Sequence, residues 1–192
     1  IARYIEECDV CCRIKAEHQK LAGLLQSLRI PEWKWDKIQM DFCTCLPKSQ
    51  KGNDAMFVII DQFSKVAHFL PVKETITASQ LANLYISRIV TLHGIPKEIS
   101  SDRGSIFTLK LWDSFQVAMW TYITKSTAYH PQSQGHAERV NQILEDMLRA
   151  CVISFSKKWE ESLRYAEFSY NNSYQASLKM AYFEVLYGRK CR

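Results

Sequence analysis

The sequence lacks the features that define several large classes of protein. No apolar run approaches the roughly 18 residues that a membrane-spanning helix needs. The first residues, Ile1 to Ile5, resemble neither a signal peptide nor an initiation site, so we expect a fragment of a longer polypeptide. Repeats and low-complexity tracts are also lacking, and 47% hydrophobic with 23% charged residues is typical of a folded globular protein.

The cysteines give no regular disulfide pattern. Their number, seven, is odd and their spacing is irregular, which favours a reducing intracellular setting. Cys8 and Cys11 form a C-x-x-C pair, which is half of a zinc-ligand set. A combined zinc site of these two with Cys43 and Cys45 has the right number of ligands and stays open as an alternative. The net charge of +5 permits a polyanionic partner without requiring one.

The hydrophobic pattern divides the chain near Pro31 and predicts strands after it. Residues 1–30 are polar and compatible with helix, and residues 31–192 form the expected main domain. Alternation after Asp36 predicts a half-buried strand, the apolar run at 56–60 a central strand, and 65–72 a third strand. The short turns between them indicate an antiparallel meander.

Helical periodicity then alternates with short strands in the rest of the chain. We predict helices at 81–92, 109–119, 140–151 and 159–170, strands at 96–101 and 121–124, and a polar loop at 126–133. This order predicts an α/β fold in which a mixed sheet is flanked by helices. It is compatible with an RNase H-like fold.

Three carboxylates stand at positions where function is plausible. Asp41 interrupts an apolar strand, Asp102 ends a short strand, and Glu138 lies near a helix start, off the apolar stripe. Each has an ordinary structural alternative: an ion pair at the sheet edge, a turn cap, or a favourable helix-dipole interaction. Asp61 ends another strong strand and competes as a metal ligand by spacing alone.

The three carboxylates become informative together. Sixty residues separate Asp41 from Asp102, and 35 separate Asp102 from Glu138. The sequence motifs around and between them are MDF at 40–42, VAHF at 66–69, LHGIP at 92–96, SDRG at 101–104, STAYHPQ at 126–132, ERVNQ at 138–142, LEDMLRAC at 144–151 and AEFSYNN at 166–172. With this spacing they resemble the integrase of gypsy-type LTR retrotransposons, plant members in particular, within the retroviral integrase superfamily. Such an integrase is part of a Gag-Pol polyprotein.

The resemblance implies a five-stranded RNase H-like core and a catalytic trio of Asp41, Asp102 and Glu138. This trio would hold two Mg²⁺ or Mn²⁺ ions for 3′-end processing and strand transfer of DNA. It also implies that residues 1–30 are a helical remnant of a His-His-Cys-Cys zinc domain. Cys8 and Cys11 would be its last ligands, and Zn²⁺ would bind only in the longer parent protein.

The same resemblance implies DNA contacts, with phosphates held by basic and amide side chains. The expected contacts are Lys65, His68, His130, Gln132, Gln134, His136, Arg139 and Gln142. Retroelement ends and target DNA are the expected partners, with a homo-oligomer as the assembly, nuclear action, and no membrane association.

Several residues depart from the family pattern and keep a second interpretation open. They are Ile106, Trp120, Gln134, Tyr182, Cys43 and Cys45. None belongs to the catalytic trio, but together they are compatible with a decayed, nucleic-acid-binding remnant without catalysis. A third hypothesis treats residues 1–30 as a zinc-dependent interaction module with a structural remainder, and the lack of histidines before Cys8 argues against it.

Overall fold

The computed structural model describes Cys8, residues 31–101, 122–125, Asp146, 159–176 and 178–191. For residues 122–125 it describes the backbone alone. The expected helix at 109–119, the loop at 126–133 and nearly all of residues 1–30 lie outside these ranges. Asp146 is helical, as expected, although the other residues of the predicted helix at 140–151 are not described.

The core of the fold is a mixed sheet of five strands. They are β1 (Lys37–Cys43), β2 (Ala55–Asp61), β3 (Ala67–Val72), β4 (Glu98–Ser101) and β5 (Tyr122–Lys125), in the spatial order β3-β2-β1-β4-β5. β1, β2 and β3 pair antiparallel, which confirms the meander, whereas β4 and β5 run parallel to β1. The expected α/β class and the five-stranded mixed sheet are therefore confirmed.

Burial follows the apolar pattern of the strands. Every residue of β2 is buried, as expected for a continuous apolar run that is covered on both faces. β1 is more polar, and on its polar face Gln39 is buried whereas Lys37 and Asp41 are half-buried, so this face is more covered than the alternation predicts. β1 lies in the middle of the sheet, where β2 pairs with it as far as Cys43 and β4 as far as Met40.

The first helical stretch follows β3 in the chain and ends just before Gly94, as the sequence predicts. It consists of α1 (Ala78–Tyr85), a π-helical segment (Ile86–Val90) and α2 (Thr91–His93). Thr77 and Gln80 form a capping box at its start. Gly94 follows its last residue with φ of 84°, a conformation that favours glycine.

The remaining described elements are α3 (Trp159–Asn172), β6 (Tyr174–Gln175), β7 (Met180–Ala181) and α4 (Tyr182–Tyr187). The helix α3 confirms the prediction for 159–170, whereas the β6–β7 hairpin and α4 were not predicted. Tyr182, one of the residues that depart from the family pattern, is the first residue of α4. Proline is favoured at the first position of a helix, so a proline would also fit there. Among the described helices, none is both long and apolar enough to cross a membrane.

The helix α3 covers the outer edge of β3 through two side chains. Asn171 accepts from the backbone N–H of Ala67 (2.9 Å) and donates to its carbonyl (2.8 Å), and Glu167 accepts from the N–H of Phe69 (2.9 Å). The spacing matches, because four helical residues rise about 6 Å and two strand residues advance about 6.6 Å. Pro71, the next residue on that edge, has no N–H. The edge therefore offers no free donor at these positions to another strand.

Candidate metal-binding active site

Asp41 lies towards the carboxyl end of the central strand. It is half-buried, and its partner in β2 is Val58. One carboxylate oxygen, Oδ1, accepts a hydrogen bond from the backbone N–H of Phe42 at 2.8 Å. A carboxylate in this position is fixed by the sheet, while half-burial leaves it in contact with solvent.

The parallel strand β4 ends beside Asp41. Ser101, its last residue, pairs with Met40, which directly precedes Asp41. Asp102 is the next residue in the chain, and it lies outside the described residues, as does Glu138. Within the described part of the chain, no group of three or more acidic, histidine or cysteine residues could hold a metal ion. The expected trio of Asp41, Asp102 and Glu138 therefore stays a prediction.

Asp61, the competing candidate, has a structural environment. It is fully buried, and Oδ1 accepts from the backbone N–H groups of Trp35 (3.0 Å) and Phe63 (3.1 Å). Oδ2 accepts from the N–H of Ser64 (2.9 Å) and from its hydroxyl (2.5 Å). Four donors thus satisfy this carboxylate, which stabilises the turn between β2 and β3. It pairs with Ile38, three residues before Asp41 along β1.

Two predicted DNA contacts fall within the described residues. Lys65 lies in the turn after β2, with φ of 64°, and burial lowers the pKa of its ammonium group although Asp61 opposes the shift. His68 lies on β3, where Nδ1 contacts Glu167 Oε1 and Nε2 contacts His93 Nε2, both at 2.9 Å. Both ring nitrogens are thus engaged within the domain, which favours a structural role for His68. As DNA contacts, both residues stay predictions.

The other predicted contacts with DNA lie outside the described residues. They are His130, Gln132, Gln134, His136, Arg139 and Gln142. Their proximity to Asp41 and to DNA also stays a prediction.

The cysteines divide between core and surface. Cys43 belongs to the buried core, and Cys45 is exposed with φ of 62°. Cys8 is half-buried, and Cys11 lies outside the described residues. Cys8, Cys43 and Cys45 do not form a metal-binding group in the described structure, which leaves the four-cysteine alternative without support. The incomplete zinc site of Cys8 and Cys11 stays a prediction.

The roles of Glu167, Asn171 and His93 were not predicted from the sequence. All three join secondary-structure elements through side-chain hydrogen bonds. The sequence did contain a sign of the first two roles. Glu167 and Asn171 are polar residues four positions apart on the same helix as the apolar residues Leu163 and Tyr170. His93 ends the helical stretch, and its partner cannot be inferred from a pattern along the chain.

Comparison with known proteins identifies the family. The model of the integrase core domain family matches residues 34–133, which is more than half of the chain. The chain therefore belongs to the integrase core domain family. The motifs predicted this family, while the assignment to gypsy-type, plant-like LTR retrotransposons stays a prediction.

A curated relative belongs to a retrotransposon. The chain is 35% identical over 188 residues to the Transposon Tf2-3 polyprotein of Schizosaccharomyces pombe. The match covers 97% of the chain but spans only 14% of the length of that polyprotein.

Solved structures confirm the RNase H-like fold of retroviral integrase cores. The simian T-cell lymphotropic virus intasome in complex with PP2A regulatory subunit B56 gamma matches with a TM-score of 0.69 at 18% identity, covering 100% of the chain and 67% of the matched one. The HTLV-2 integrase catalytic core domain in complex with magnesium matches with a TM-score of 0.62 at 16% identity, covering 80% and 97%.

Proposed function

We propose that this chain is a catalytic integrase core that cleaves and joins DNA with the help of divalent metal ions. Asp41, Asp102 and Glu138 are its metal-binding carboxylates. The substrates are the DNA ends of a retroelement and a target DNA, and the reactions are 3′-end processing and strand transfer. The observation that carries the proposal is the pairing of β1 with β4 beside Asp41.

The register supports the first two members of the trio. Met40 pairs with Ser101, so the next residue of each strand is a carboxylate, Asp41 on β1 and Asp102 after β4. Consecutive Cα atoms lie 3.8 Å apart, which limits how far Asp102 can be from the end of β4. This register supports a location of Asp102 near Asp41, at the carboxyl ends of two neighbouring strands. Glu138 joins the proposal through the motif spacing alone.

The donor set fits a hard divalent cation. Carboxylate oxygens are the ligands that Mg²⁺ prefers, and half-burial of Asp41 leaves access for water and phosphate. When bound, two Mg²⁺ or Mn²⁺ ions would activate the attacking oxygen and stabilise the leaving oxygen of an in-line displacement at phosphorus. The magnesium in the similar HTLV-2 core supports the choice of ion, though not the number of ions.

The chain's own residues supply position and charge. The sheet fixes the backbone of Asp41, and the N–H of Phe42 holds one of its carboxylate oxygens. Acidic side chains brought close together repel until a cation is present, so the affinity for metal should fall as the pH falls and the carboxylates become protonated. Basic and amide residues of the 126–142 segment would hold phosphates.

The other parts of the expected function belong to the same proposal. A homo-oligomer is supported by the similar HTLV-2 core, which was solved in dimeric and trimeric forms. Nuclear action would follow from the target DNA. Zn²⁺ would bind Cys8 and Cys11 only in the longer parent protein, where additional ligands complete the site.

A DNA-joining assay tests the proposal without knowledge of the cognate end. A pool of labelled duplexes with recessed 3′ ends and random terminal sequences is incubated with a supercoiled plasmid, the 192-residue chain and Mg²⁺ or Mn²⁺. We expect joined products from the native chain and a loss of at least about 100-fold in Asp41→Asn, since one metal ligand is removed. Asp36→Asn is the matched control, because that carboxylate pairs with the exposed Lys97.

The outcomes separate the alternatives. Joining that persists in Asp41→Asn would refute the metal assignment. Equal inactivity of the native chain and Asp41→Asn, both folded and both binding DNA, would refute the catalytic proposal and support the non-catalytic remnant.

A further inference from the structure

Three elements meet in a histidine cluster at β3. His68 of β3 lies between Glu167 of α3 and His93, the last residue of α2. The two imidazole rings face each other through their Nε2 atoms, which are 2.9 Å apart. The His93 ring also stacks on the indole of Trp35, with centroids 3.7 Å apart and an angle of 4°.

The contact between the two Nε2 atoms restricts how many protons the rings can hold. A hydrogen bond between two nitrogens needs one N–H and one lone pair, so one of the two Nε2 atoms has no proton. Nδ1 of His68 faces the carboxylate of Glu167, an acceptor, and therefore bears its own proton. The pair can hold one positive charge at most. With both rings fully protonated, two N–H groups would face each other at 2.9 Å.

We infer that His68 and His93 form an acid-sensitive lock, in which protonation of the second imidazole separates the end of α2 from β3. The lock joins β3, α2 and α3, and stacking extends it to Trp35, two residues before β1 begins. No partner for Trp35 Nε1 is found among the described residues, so the stack orients the indole.

The charges around the pair come from every element packed against it. They are Glu160, Arg164 and Glu167 of α3, Arg88 of the π-helical segment, and Asp61 and Lys65 at the β2–β3 turn. The charge of Asp61 favours a proton on His93, while its two oxygens accept hydrogen bonds from Trp35, Phe63 and Ser64. Glu167 is engaged on both oxygens, with His68 and with the N–H of Phe69.

The pKa of His93 agrees with the geometry. Burial and the neighbouring His68 lower it to about 4, although Asp61 opposes the shift. In the unfolded chain a histidine has a pKa of about 6.5. Between these two values the unfolded state binds more protons, so the stability is complete above about pH 6.5 and falls as the pH falls to about 4.

The site of opening faces a cavity of about 350 Å³ between β3, the π-helical segment and α3. His68 lines this cavity together with Arg88 and Arg164. The loop after His93 leads to β4, where the N–H groups of Lys97 and Glu98 donate to the carbonyl of Asp36. Opening of the lock would loosen α2 next to this loop, while the backbone contacts to Asp36 keep β4 in register.

The test compares the native chain with His93→Phe, which keeps an aromatic ring on Trp35 and removes both nitrogens. Urea unfolding is measured at pH 7 and pH 4.5. We expect acidification to increase the unfolding constant of the native chain about tenfold more than that of the variant. A tenfold change is smaller than the change that the whole difference in the His93 pKa would give, because the ring is partly exposed and solvent weakens the effect.

Nuclear magnetic resonance of the native chain, with ¹⁵N-labelled histidine, gives an independent result if His93→Phe does not fold. We expect the ring of His93 to stay neutral at pH 5.5 and to take up its proton only with loss of its contact to His68. A ring that titrates near pH 6.5, or an equal acid response of the native chain and His93→Phe, would overturn the lock.

Discussion

Replacement of Asp61 by asparagine tests whether this buried acid is structural or metal-binding. The amide oxygen can keep the two hydrogen bonds from Trp35 and Phe63. The amide nitrogen, however, replaces the oxygen that accepts from the N–H and hydroxyl of Ser64. The hydroxyl can turn and accept, whereas the N–H of Ser64 then faces another donor in a site without solvent.

The magnitude follows from these contacts. A hydrogen bond to a charged group contributes about 1.5–3 kcal/mol, and a buried donor without a partner costs about 1–3 kcal/mol. We therefore expect Asp61→Asn to lower the free energy of unfolding by about 3 kcal/mol. Asp61→Ala, which removes the acceptor for all four donors, should cost about 4–5 kcal/mol. Both losses are large relative to the roughly 5–15 kcal/mol that stabilise a typical domain.

Urea unfolding followed by tryptophan fluorescence measures this loss, in buffer with EDTA and again with Mg²⁺. Asp54→Asn is the control. The carboxylate of Asp54 accepts an exposed hydrogen bond from the backbone N–H of Glu74, and the substitution should lower the free energy of unfolding by less than about 1 kcal/mol. A stability of Asp61→Asn within about 0.5 kcal/mol of the native chain, together with a loss of Mg²⁺ binding, would refute the structural role.

Two further substitutions test how α3 is attached. Asn171→Ala removes both hydrogen bonds to the backbone of Ala67, so we expect the free energy of unfolding in urea to fall by about 3 kcal/mol. A decrease below about 1 kcal/mol would show that the contact with the edge of β3 is unimportant. Trp159→Phe keeps most of the packing but loses the hydrogen bond from Nε1 to the carbonyl of Pro47 (2.7 Å). Thermal unfolding should therefore show a decrease of about 1–2 kcal/mol in the free energy of unfolding, and an unchanged melting temperature would contradict the assigned contact.

The strands of the meander could be predicted because their pattern is local. The alternation around Met40 and the apolar run of β2 each determine burial within a few residues, and short turns fix antiparallel neighbours. The helical stretch after β3 was also predictable, because its apolar residues recur at helical spacing and Gly94 ends it. Only its π-helical segment and its exact bounds needed the structure.

The pairing of β4 with β1 was not accessible from the pattern. More than 50 residues separate Cys43 from Glu98, and nothing in the short segment before Asp102 specifies its neighbour. The motif resemblance implied a five-stranded RNase H-like core, but it did not specify which strand lies beside this segment. The role of Asp61 was ambiguous for a related reason: the same spacing serves a metal ligand and a turn cap, and only the four donors around it distinguish them.

The histidine cluster and the helix α4 show two other limits. His68 and His93 come from motifs 25 residues apart, so their contact is a result of packing that no single motif encodes. The helix α4 has six residues, too few for a clear period, although Gly188 with φ of 71° was a usable sign of its end.

The most direct test of the proposed active site is crystallography of the chain soaked with Mn²⁺, with anomalous scattering to locate the ions. We predict an anomalous peak within coordination distance of the carboxylates of Asp41 and Asp102, and its disappearance in Asp41→Asn crystals. A peak elsewhere, or none at Mn²⁺ concentrations that support DNA joining, would contradict the assignment of these carboxylates as the metal ligands.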